Sequence, residues 1–137
     1  MAEFPQLLHT VLDSTRPRAL AEFYRQLLGL RYRPGDEPPP DGAPDDADWL
    51  VLVDAAGARK LAFQQVDRLS ATTWPEHDVP MQLHVDFTVS SRAELDRQRE
   101  RAEALGARLL LDRTDDPGEP LYVFADLSGH PFCVFVA

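Results

Sequence analysis

His84 and Asp86 stand two residues apart in the run Pro80-Met-Gln-Leu-His-Val-Asp-Phe87. In an extended chain alternate side chains share a face. Gln82, His84 and Asp86 therefore point one way, and Leu83, Val85 and Phe87 the other. Roughly 7 Å then separates the His84 and Asp86 alpha carbons. That suits an acid/base pair, a polar anchor for a substrate, or a structural network completed by Gln64 or Tyr122. A polar trio facing a cleft needs partners or a ligand. His9 is a second imidazole, in the more apolar company of Leu7 and Val11. Trp49, Tyr122 and Phe124 lie in strand-like runs, where they can stack a flat ligand or pack in a core. Cys133, between Phe132 and Val134, reads most simply as a small buried hydrophobe. Trp74, beside Pro75, is read as bracing a junction or a subunit contact, and His77 and His130 as exposed turn residues. There is no nucleophile elbow, phosphate-cradling glycine loop or zinc-protease motif.

These residues need scaffolding, and two helices are legible. Leu20, Phe23, Tyr24, Leu27 and Leu28 recur at helical spacing within about Arg16–Leu28. Asp13, Ser14 and Thr15 offer N-cap side chains, Pro17 suits the first turn and Gly29 the end. Ser91 and Glu94 form a capping-box pattern for a second helix, Arg92–Leu105, stopped by Gly106. Eight short apolar runs read as strands: 7–12, 30–33, 49–53, 61–66, 83–89, 108–111, 121–125 and 132–136. Pro34 to Asp48 carries five prolines and is expected to be a mobile loop. Thr72 to Pro80 reads as a connector.

The order is strand, helix, three strands, twice over. Leu8-His9 answers Leu83-His84, Leu28-Gly-Leu30 answers Leu105-Gly-Ala107, and Val51 to Asp54 with Gly57 answers Tyr122 to Asp126 with Gly129. Two matching halves of about 70 residues point to an internal repeat.

Composition bounds the function. The chain has 137 residues, enough for one domain with a core and no staples. Lys and Arg total 14 against 23 Asp and Glu, a formal net charge of −9 that repels phosphate backbones and argues against nucleic acid. The charges of 92–108 alternate in sign, as on a solvated helix face. Acidity favours cationic or neutral small ligands. No apolar run approaches the roughly 18 residues of a membrane helix. Met1 to Pro5 lacks the pattern of an export signal, and a single cysteine fits a reducing, cytoplasmic setting.

Several segments together resemble the vicinal-oxygen-chelate superfamily, the glyoxalase, bleomycin-resistance and extradiol-dioxygenase group, and especially its glyoxalase-like domain proteins. They are Ala21-Glu-Phe-Tyr-Arg-Gln-Leu-Leu-Gly-Leu30, Leu61-Ala-Phe-Gln-Gln-Val66, Pro80 to Phe87, Leu105-Gly-Ala107 and Ala125-Asp-Leu-Ser-Gly-His-Pro-Phe-Cys133. The resemblance implies an α+β fold of two βαβββ modules, a curled mixed sheet around a cleft with helices outside. It spans one domain over 1–137, with module one at about 6–70 and module two at about 80–137. It also implies metal ligands on four strands. His9 and His84 occupy the two opening positions, but the closing positions hold Ala62 and Cys133, where metal-dependent members carry Glu. A shift of two would offer Gln64.

Two imidazoles without carboxylates compensate a dication poorly, although a Cys133 thiolate would make a zinc or copper set. The expected protein is thus a cytoplasmic, metal-poor binder of a small organic ligand, serving sequestration or resistance, with no cofactor and a homodimeric assembly. Its ligand would meet His9, Trp49, Gln64, His84, Asp86, Tyr122, Phe124 and Cys133. The alternatives are a metal-dependent lyase, isomerase or dioxygenase using His9 and His84, and a non-catalytic partner module.

Overall fold

The computed structural model describes residues 4–137, so residues 1–3 of the stretch read for an export signal lie outside the described residues. The chain forms two compact units meeting in sequence at Arg68 and Leu69. The first contains β1 (Thr10–Ser14), α1 (Pro17–Leu28), β2 (Arg31–Tyr32), β3 (Trp49–Val53) and β4 (Arg59–Gln65). The second contains β5 (Val85–Val89), α2 (Arg92–Ala104), β6 (Arg108–Asp112), β7 (Leu121–Ala125) and β8 (Pro131–Val136). Each unit folds its strands into a four-stranded mixed sheet, ordered β1-β4-β3-β2 and β5-β8-β7-β6. In both, the first strand runs parallel to the last and the other pairings are antiparallel. The α+β class and the βαβββ repeat are thereby observed.

The helices form for the reasons their sequences carry. In α1, Leu20, Phe23, Tyr24 and Leu27 are buried on one stripe, and Tyr24 stacks on Phe63 of β4 with centroids 6.0 Å apart. Gly29 ends it in the left-handed region at φ 67, where its N–H donates to Arg25 O. The N-terminus departs from expectation. Arg16 is the N-cap and no side chain caps it. Ser14 Oγ instead accepts from Arg16 N at 2.9 Å, one turn of chain too early. In α2, Ser91 Oγ accepts from Glu94 N as the spacing predicts. Its charged residues pair along the helix, Arg92 with Asp96, Arg97 with Glu94 and Arg99 with Glu103, the solvated face expected of alternating signs.

Strand ends shift by a few residues. The first strand begins at Thr10, so His9 precedes it, and the fifth begins at Val85, so His84 precedes it. The proline-rich segment is irregular, as predicted, but it is tied down. Arg18 pairs with Asp45 at 2.7 Å and donates to Asp36 O at 2.7 Å. The Asp36 carboxylate accepts from Val51 N at 2.9 Å, which satisfies an otherwise open edge of β3.

Each sheet has a helix side and an open side. In the first unit Leu12, Leu50, Leu52, Leu61 and Phe63 share the helix side, whereas Val51, Val53 and Ala62 form a buried apolar cluster on the other. In the second unit Phe132 packs against Phe87 and stacks on Phe124 beneath α2. The hairpin turns repeat as well. Asp54 Oδ1 accepts from Ala56 N and Ala58 N, and Asp126 Oδ1 accepts from Ser128 N and His130 N. Gly129 is needed there doubly, since φ is 89 and an added Cβ would lie 2.4 Å from Ala71 Cβ.

Candidate functional site

The register of the second sheet assembles the chemistry. Asp86 on β5 pairs directly with Cys133 on β8, which pairs in turn with Val123 on β7. Paired residues share a face, so Asp86, Cys133 and Val123 all lie on the side away from α2. His84, two residues before Asp86, comes back over the same side, its Nε2 3.2 Å from Asp86 Oδ1. The donor atoms of His84, Asp86 and Cys133 lie within 4.8 Å of one another. The pairing of His84 with Asp86 read from period-2 alternation is thus met directly. The carboxylate missing from the closing strand is present, but on the neighbouring opening strand.

The Cys133 thiol is pushed up to about 11, chiefly by burial and then by the Asp86 carboxylate. At neutral pH it is a protonated thiol, a hydrogen-bonding wall rather than a nucleophile.

A cavity of about 170 Å³ lies over these residues. Leu121, Val123, Pro131 and Cys133 of β7 and β8 form its floor. Trp74 of the connector, Met81 just after it, His84 and Arg113 complete its wall. Arg113, Met81 and Trp74 are contributors that residue typing alone did not single out as ligand contacts. For Arg113 the available signal was its place one residue past the end of β6.

The remaining candidates fall elsewhere. On the open side of the first sheet, His9 lies 5.9 Å from Trp49 between ring centroids, and Trp49 packs on the Val51, Val53 and Ala62 cluster. Gln64 pairs with Trp49 in register and donates to Asp13 Oδ1 at 3.3 Å. His9 Nδ1 is buried and has no hydrogen-bond partner among the described residues. Burial, then the charges of Arg59 and Arg33, lower the basicity of that imidazole. Tyr122 and Phe124 point to the helix side instead. The Tyr122 hydroxyl lies 2.9 Å from Asp96 Oδ1 on α2, Arg99 covers its ring, and Phe124 is fully buried against Phe132. Alternation explains it: Cys133 and Val123 take the open face, so Tyr122 and Phe124 take the other. Neither meets the cavity, and Tyr122 does not complete the His84–Asp86 network.

A family profile for the glyoxalase-like domain matches residues 9–135. The chain belongs to that family. Among solved structures it is similar to the fosfomycin resistance protein FosX from Listeria monocytogenes, at 18% identity and a TM-score of 0.69, covering 98% of this chain and 95% of that one. It is also similar to a glyoxalase/bleomycin resistance protein/dioxygenase family enzyme from Burkholderia phytofirmans PsJN, at 16% identity and a TM-score of 0.67, covering 94% and 96%. Lactoylglutathione lyase from Agrobacterium tumefaciens matches at 20% identity and a TM-score of 0.61, covering 96% and 93%. These likenesses show the vicinal-oxygen-chelate fold. A search of curated proteins found no match.

The residues can be tested against the metal that this superfamily implies. Ala62, at the first closing position, is fully buried against Val51 and Val53 and offers no donor, so the two-carboxylate arrangement does not fit. The imidazole, carboxylate and thiol of the second unit do fit a borderline ion such as zinc, which accepts mixed nitrogen, oxygen and sulfur donors.

Proposed function

We propose that the protein binds a small organic ligand in the cavity on the open face of the second sheet, and that its role is ligand sequestration of the resistance type. The observation that carries this reading is the combination in one cavity of an apolar floor with convergent polar groups, His84 and Cys133 among them. Ligand entering the cavity removes Leu121, Val123 and Pro131 from water. Asp86 holds the His84 ring in one orientation, and the protonated Cys133 thiol presents a weak donor beside it. The likeness to a fosfomycin resistance protein is in keeping with a resistance role.

The second reading, a metal-dependent lyase, isomerase or oxygenase, is favoured by the three clustered donors. A divalent ion there would supply Lewis-acid polarisation of a ligand oxygen. His84 and Cys133 would hold it, with Asp86 either a third ligand or the group that orients His84.

A homodimer in the cytoplasm completes the proposal. It is supported by the exposed apolar side chains of Phe4, Leu7 and Leu8 and by the lone cysteine, left free. Among the described residues no helix is long and apolar enough to cross a membrane. The surface charge of −9 argues against nucleic acid.

Thermal-shift screening of a small-molecule library, paired with elemental analysis of untagged protein, tests the reading. Ligand at 100 times its Kd is expected to add about 2.7 kcal/mol of stability, an effect lost in Cys133→Phe, which fills the cavity. Near-stoichiometric metal that disappears in His84→Ala would instead put the metal-dependent reading first.

A further inference from the structure

Net acidity favours a cationic ligand, but the cavity itself has a different character. Its lining includes Arg113, a permanent cation, and His84. Arg113 reaches it through register. Asp112 pairs with Tyr122 on the helix side, so the next residue, whose N–H donates to Leu121 O at 2.9 Å, turns to the open side with Leu121. Arg92, Arg97 and Arg99 of α2, Arg18 of α1 and Arg33 of the first unit's loop each pair with an Asp or Glu. Among the described residues the Arg113 guanidinium has neither an ion-pair nor a hydrogen-bond partner. An unpaired fork of five donors beside an apolar floor is complementary to a planar, doubly accepting anion.

We propose that this cavity takes a small organic carboxylate, its carboxyl group on Arg113, its apolar body over Leu121, Val123 and Pro131, and a hydrogen-bonding group at its far end facing His84 and Cys133. The inference rests on the cavity being the ligand site, as argued above, and adds the ligand's chemical class and direction. Sheet order sets the direction, because Arg113 follows the edge strand β6 and His84 precedes the opposite edge strand β5. Three strand spacings, roughly 14 Å of backbone, separate those edges. Charge agrees with it. Asp86 lies beside both His84 and Cys133, so that end disfavours a second anion and leaves Arg113 as the carboxylate's place. Size limits the ligand, since about 170 Å³ is well under the roughly 300–1,000 Å³ of sites for drug-sized molecules.

The test uses two matched series on the full chain, followed by methyl NMR of Leu121 and Val123. One series is 4-hydroxybenzoate, 4-hydroxybenzamide and 4-hydroxybenzylamine. The other is 3-methylbutanoate, its amide and its amine. In at least one series the carboxylate is expected to bind 10-fold or more tightly than its amide and amine. Arg113→Gln should abolish that preference and Arg113→Lys should keep part of it. Arg113 is exposed, and an unchanged Tm confirms that the variants fold. If amide or amine shifts the same methyl signals as strongly as the carboxylate, or Arg113→Gln leaves the preference intact, the carboxylate assignment is overturned while the site stands. If no probe moves those methyls, the assignment and the site fall together.

Discussion

The two units carry the same three positions in the same register and fill them with opposite chemistry. In the first, His9 is followed two residues later by Val11, which pairs with Ala62, which pairs with Val51. In the second, His84 is followed by Asp86, which pairs with Cys133, which pairs with Val123. One triplet is imidazole, valine and alanine around a dry cluster. The other is imidazole, carboxylate and thiol, and its imidazole and thiol residues line a cavity. A repeated backbone therefore does not imply a repeated site. Hydrogen-bonded ladders and turns such as those of Asp54 and Asp126 hold the topology, and they leave the open face free to diverge.

The largest expected effect comes from putting the superfamily's carboxylate back into both units. Ala62→Glu buries a charge among Val51 and Val53 and should cost about 3 kcal/mol or more, enough to unfold much of the chain. Cys133→Glu, on a half-buried position beside the cavity, should leave a cooperative urea transition with a loss under about half of that. Equal losses would show that the two open faces are not different environments.

A smaller effect separates the two helix starts. Ser91→Ala removes the cap on Glu94 N and should cost about 1 kcal/mol in urea unfolding. In the first unit Ser14 bonds Arg16 N, upstream of the helix proper, and no side chain caps the helix whose loss could be measured in the same way.

The smallest effect is kinetic and confined to the second unit. With its thiol at about 11, Cys133 should be alkylated slowly by iodoacetamide at neutral pH, and faster as pH rises toward that value and thiolate appears. Removing the neighbouring negative charge with Asp86→Asn should lower the thiol's pKa and speed the reaction a few-fold near pH 8. Burial, the larger cause, would remain. No acceleration would mean that Asp86 does not act on Cys133.

Much of this was legible in the residues themselves. Helical spacing marked α1 from Leu20 to Leu27, the Ser91–Glu94 pattern marked the start of α2, and the runs 49–53 and 121–125 match β3 and β7 end to end. Those features depend on local steric preferences and on one apolar face per element, which a sequence states directly. Alternation alone also placed His84 and Asp86 together. It left Tyr122 and Phe124 open between ligand and core, because a strand with apolar residues on both faces does not say which face meets the helix; that is settled by the Tyr122 hydroxyl contact with Asp96 and the Phe124–Phe132 stack.

What the sequence determined by itself was the repeat, the two helices and the absence of a glutamate at either closing position. Only the tertiary structure decided that Cys133 faces Asp86 across a parallel pair, that Arg113 turns toward Leu121, and that the proline-rich loop is held by Arg18 and Asp36. Each of those depends on strand register or on contacts between residues distant in the chain. A one-residue slip in register would have sent strand side chains such as Asp86 and Cys133 to the opposite face.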